Sequence, residues 1–155
     1  MMKKWLYIFA NVIFSCSALA QLEEDPQKKL KRYQDMKPLV EQMLRESGKI
    51  YYAMPQAMSQ YQRGNADEWI NVNIGLKHLN EQASRLGNDP LDPVYGSCVK
   101  MKNQLRGYWS GVIGDNEQLQ ERSKNQFEKS RMDCFDSCVF GNEKIELKKD
   151  HSQYH

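Results

Sequence analysis

From Lys28 onward, apolar residues recur at three- and four-residue intervals, the signature of helices that bury one face. Leu39, Val40, Met43, Leu44, Ser47, Ile50, Tyr51 and Met54 share one helical stripe. Pro38 and Pro55 interrupt it, and each lacks an amide hydrogen and crowds the preceding turn, which predicts a kinked or divided first helix. Arg63-Gly64-Asn65 reads as a turn, and Asn65 with Glu68 resembles a capping box. Trp69, Val72, Leu76, Leu79, Ala83 and Leu86 follow at spacings 3, 4, 3, 4, 3, a packed seam. The run Gly87-Asn88-Asp89-Pro90-Leu91-Asp92-Pro93 ends that helix.

A third seam holds Val94, Cys98, Met101, Leu105, Tyr108 and Val112. Gly107, Gly111 and Gly114 weaken its far end, where the helix is expected to loosen near Ser110, or else they admit a close neighbour. Asp115 with Gln118 is a second capping-box pattern. The fourth helix is predicted to run to about Phe140, with Leu119, Ser123, Phe127, Cys134, Phe135, Cys138 and Val139 on its buried side and Gly141 as its C-cap. Short turns between long helices favour antiparallel neighbours. The pattern therefore predicts an all-α, four-helix, mainly up-and-down antiparallel bundle with a kinked first helix. The helical domain spans 21–141, and 142–155 reads as a charged, loosely ordered tail.

The first twenty residues follow a different logic. Lys3 and Lys4 precede the apolar run Trp5–Phe14, and Ser17-Ala18-Leu19-Ala20 supplies small residues before Gln21. This is the pattern of a secretory signal peptide, residues 1–20, cleaved after Ala20. The paired lysines and short apolar run point to bacterial export and a periplasmic or secreted product. Phe14 occupies a position where a lipid-attachment box calls for a small residue, so lipid anchoring at Cys16 is not expected. Nothing after the signal is apolar for long enough to cross a bilayer.

Charge then changes the picture. The whole chain holds 22 basic and 20 acidic residues, and both lysines of the signal are lost on cleavage. The mature protein is formally neutral. It lacks the broad positive field that draws proteins to nucleic acid, and none is expected as a partner.

Three cysteines remain in the mature chain: Cys98, Cys134 and Cys138. An oxidising compartment favours one disulfide. If the last two helices form a hairpin turning near Gly114, Cys98 stands opposite roughly residue 130, nearer Cys134 than Cys138 by about 6 Å of helix rise. Cys98–Cys134 is therefore the expected pair, with Cys138 as the alternative partner of Cys98. The spacing matches neither a thioredoxin-type nor a haem-attachment motif.

Candidate chemistry is sparse. No nucleophile elbow, phosphate-binding glycine loop or His-Glu-x-x-His pair is present. His78 reads as a boundary residue, while His151 and His155 lie in the tail. Asp133 and Asp136 flank Cys134 and read as solvent-facing. No cofactor or metal is expected. The aromatics say more: Tyr51/Tyr52 and Tyr108/Trp109 are adjacent pairs that cannot both point inward, and Tyr and Trp are enriched at binding hot spots. Tyr52, Tyr61 and Trp109 are the candidate partner-facing residues. The reading is a small exported, non-catalytic binding protein (an inhibitor, immunity or accessory protein) acting on another exported or envelope protein. A helical-bundle carrier of a small ligand, haem or metal is the alternative, and an enzyme of unrecognised type the second.

Overall fold

The computed structural model describes residues 25–152. The signal peptide, its cleavage site and Cys16 lie outside the described residues, as does His155. Within them are four helices and no strand: α1 (Pro26–Gln62), α2 (Asp67–Arg85), α3 (Gly96–Ile113) and α4 (Glu117–Ser152). None is long and apolar enough to cross a membrane.

Local chemistry starts each helix. The Asp25 carboxylate accepts from the Gln27 amide, and Pro26 opens α1 where its missing N–H is not needed. Asn65 caps α2 by accepting from Asp67 N–H at 3.0 Å, one position short of the expected capping box. Asp92 does the same before α3, accepting from the amides of Val94 and Tyr95 at 2.9 and 2.7 Å. Asn116, not Asp115, caps α4 through the Leu119 amide at 2.9 Å. At α1, α2 and α4 a short side chain satisfies amides that the first helical turn leaves free, whereas the Asp92 bonds order the turn that precedes Gly96.

Cross-helix contacts give the topology. Glu46 meets His78 and Gln82, and Tyr61 meets Trp69, so α1 and α2 are antiparallel. Trp109 bonds Asn73 and Lys102 bonds Asn80 and Asn88, which makes α2 and α3 antiparallel. Tyr33 bonds the Cys138 carbonyl and Tyr51 bonds Glu128, which closes the bundle with α4 antiparallel to α1. One core runs its length, from Tyr33, Tyr95 and Cys138 at one end through Met43, Met101 and Leu105 to Met54, Ala57 and Trp109.

Three expectations change. Pro38 and Pro55 neither start nor end a helix; both lie within α1, on its exposed side, where a lost amide hydrogen bond leaves no buried acceptor. The third helix does not loosen at Ser110 but continues to Ile113. Its glycines serve close approach to α4: a Cβ at Gly107 would lie 2.9 Å from Ser123 Oγ, and one at Gly111 the same distance from the Gln120 backbone nitrogen. The fourth helix does not stop near Phe140. It continues to Ser152, and Gly141, rather than capping it, is buried against Tyr33.

Candidate binding surface

The close α3–α4 hairpin brings Cys98 and Cys134 to disulfide distance, with sulfurs 2.11 Å and Cα atoms 4.7 Å apart. Cys138 lies one turn further along α4, buried and unpaired. Removal from water pushes its thiol above the ordinary range, with Glu41 adding to the effect, so it is not the depressed thiol of a redox or nucleophilic site.

The three aromatic candidates do not converge. Trp109 is only 3% exposed. Its Nε1–H donates to Asn73 Oδ1 at 3.3 Å, inside the α2–α3 interface. Trp109 is therefore a core residue and no part of a surface. A seam reading assumes one neighbour, but α3 packs against α1, α2 and α4, so its buried arc takes in both members of the Tyr108/Trp109 pair. Tyr108 turns toward Tyr51 on α1, with ring centroids 5.4 Å apart. Tyr61 is half-exposed and stacks on Trp69 at 5.6 Å, closing the α1–α2 turn. Tyr52 is the most exposed of the three, at 80%, with its ring edge-on to Tyr51 at 5.3 Å.

The outer face of α4 is more apolar than the periodicity predicts. Phe135 and Val139, expected on the buried side of α4, are 55% and 43% exposed, and Met132 is 70% exposed. The cause is angular. Successive helical residues differ by about 100°, so burying Cys134 and Cys138 turns Phe135 and Val139 outward. Met132, Phe135 and Val139 form a second stripe, at spacings 3 and 4, which repeats the periodicity of a seam on an uncovered face. That spacing was the signal available in the sequence, hidden by the apolar doublets Cys134-Phe135 and Cys138-Val139.

The stripe borders α1. Tyr51 on α1 packs its ring 4.9 Å from Phe127 and donates to Glu128 at 3.2 Å, and the Arg131 guanidinium lies over Gly48. By the same register Tyr52, next to Tyr51, lies level with Phe127 and Glu128, about one turn before Met132 along α4.

Elsewhere the polar groups serve structure. Glu46 accepts from Gln42 and Gln82 and meets His78 Nδ1 at 2.9 Å, which ties α1 to α2. Lys102 is buried, donating to Asn80 and Asn88 at 3.1 Å each, and loss of solvent lowers its pKa. Arg32 bridges Asp92 at 2.8 Å and the Leu86 carbonyl at 2.7 Å, holding the α2–α3 loop against α1. An open cleft of about 340 Å³ separates that loop from α4, bordered by Leu91, Ser97, Lys100, Asp133 and Asp136. The two aspartates thus line a cleft wall, where they hold no histidine or cysteine. Among the described residues, no three His, Cys, Asp or Glu side chains are placed to hold a metal ion. No protein-family model, curated protein or solved structure matches this chain.

Proposed function

We propose that this chain is a small exported protein that acts by binding another exported or envelope protein, in the manner of an inhibitor, immunity or accessory protein. The observation that carries the reading is the uncovered stripe of Met132, Phe135 and Val139 on α4, with Tyr52 exposed on the adjoining α1. Large apolar side chains grouped on one face of an otherwise polar helix mark an interaction surface more often than an ordinary one. Export is supported by the charged, apolar and small-residue order of the first twenty positions, and by Cys98 and Cys134 standing at disulfide distance. A bond between them would clamp α4 to α3 and hold the stripe on a rigid support.

The test is site-specific photo-crosslinking in the cells that make the protein. A benzophenone side chain is placed in turn at Tyr52, Met132 and Phe135, and at Ile74, an exposed apolar position on α2. One discrete adduct from the first three positions and none from Ile74 is the expected result. Adducts that are absent, or equally strong from Ile74, would overturn the assignment of this face.

A further inference from the structure

We infer that the partner presents an acidic amphipathic helix to the furrow between α1 and α4. This rests on the binding reading above and adds the chemistry of what is bound.

The shape comes first. Contacts of Tyr33 with Cys138, Gly48 with Arg131 and Tyr51 with Glu128 set α1 and α4 side by side, antiparallel, over the whole length of the stripe. From Glu128, which Tyr51 reaches, to Val139 is about 16 Å of helix rise, three turns. One ridge on α4, with apolar side chains at intervals of three and four, running beside α1 and its exposed Tyr52, matches a helix that lays its own apolar face along the seam.

Charge selects the kind of helix. The exposed residues flanking the stripe are Arg45 and Lys49 on α1 and Lys124 and Arg131 on α4, joined by the half-buried Lys37. Among the described residues Glu41, Glu121 and Glu128 oppose these five, and Glu128 already accepts from Tyr51. On the far rim of α4, Lys129 and Asp136 offset one another. The face is therefore net positive on a protein whose residues after the signal are neutral. Carboxylates bordering a partner's apolar stripe would meet this fringe, which favours encounter and register and excludes basic partners.

Two synthetic helical peptides test this. Both carry leucines at the same i, i+3, i+4 positions; one is flanked by glutamates and the other by lysines. Amide chemical shifts of the oxidised mature protein locate binding, and titration gives affinity. The glutamate peptide is expected to perturb Tyr52, Met132, Phe135 and Val139 and to bind at least about tenfold more tightly at low salt, as a few exposed charge pairs allow. The double variant Arg45→Glu/Lys49→Glu, at exposed positions, should narrow that gap while leaving thermal stability unchanged. Equal affinity for the two peptides would overturn the acidic partner and leave the docking face standing. Shifts located elsewhere, or no binding by either peptide, would overturn both.

Discussion

Gly141 of α4 faces the ring of Tyr33 on α1 so closely that a methyl group there would overlap Tyr33 Cε2 and lie 2.7 Å from Cδ2. The ring is pinned. Its hydroxyl donates to the Cys138 carbonyl, and its other neighbour is Tyr95, stacked at 5.8 Å, whose hydroxyl donates to the Tyr33 carbonyl at 2.7 Å. Gly141→Ala should therefore destabilise the fold by about 1–3 kcal/mol, the usual effect of overpacking. Gly48→Ala is the control, because its methyl meets only the mobile tip of Arg131, at 3.3 Å. It should be neutral or stabilising by up to about 1 kcal/mol, from better helix propensity. Urea denaturation of both variants measures the contrast.

Cys98 and Cys134 are 36 residues apart in sequence. A bond closing that loop is expected to contribute about 3–4 kcal/mol in the chain-entropy model. Reduction, or Cys98→Ser with Cys134→Ser, should lower the urea midpoint accordingly. Cys138→Ser should leave one intact bond on peptide mapping. A bond joining Cys98 to Cys138 in the native protein would contradict the observed register.

Trp109 and Tyr52 should separate stability from binding. Trp109→Ala empties a core site and leaves Asn73 without its donor, so a loss of about 3–5 kcal/mol is expected. Tyr52→Ala should change stability by less than about 0.5 kcal/mol, as an exposed substitution does. The same change should weaken the photo-crosslink formed from Phe135. Thermal melts and crosslink yield read the two effects independently.

Alkaline pH should unfold the protein earlier than its neutral-pH stability implies. Burial, with the nearby Glu128 carboxylate, pushes Tyr51 up to about 12, and burial also raises Tyr33, Tyr95 and Tyr108. A raised folded-state pKa means stability that is complete below the unfolded value of about 10 and is lost as pH rises toward the folded value. Lys102 has the opposite sign: its lowered pKa penalises the fold while the amine is charged, and that penalty fades as pH rises toward 10.5. The raised Cys138 thiol acts like the tyrosines from its ordinary value of 9.0 upward, so urea midpoints should begin to decline above about pH 9 and fall steeply above about pH 10. Tyrosinate absorbance from Tyr33, Tyr51, Tyr95 and Tyr108 should appear late in the native state, and titration of these four centred near 10 would refute the assignment.

Part of this architecture is legible in local pattern. The seams of α2 and α3 lie at the spacings read from Trp69 to Leu86 and from Val94 to Val112, because helical periodicity is set by the chain's own geometry. Helix rise and the turn at Gly114 suffice to set Cys98 opposite Cys134. The errors sit where a residue's environment depends on more than one neighbour. Trp109 was assigned outward because a seam has one side, whereas α3 has three. Gly141 read as a stop because glycine favours C-caps, yet it is the space that Tyr33 requires.

The sequence by itself determined the helices, their order, the short connections that make neighbours antiparallel, the charge balance and the pairing partners open to Cys98. All of these follow from backbone geometry and spacing along one chain. Only the tertiary structure decided which apolar stripe is covered. Two stripes of α4 carry seam-like spacing, and α1 and α3 can bury only one arc of the helix between them. Cys134 and Cys138 go in, so Met132, Phe135 and Val139 are left at the surface. That choice is made by packing among three helices, and it creates the face on which the functional proposal stands.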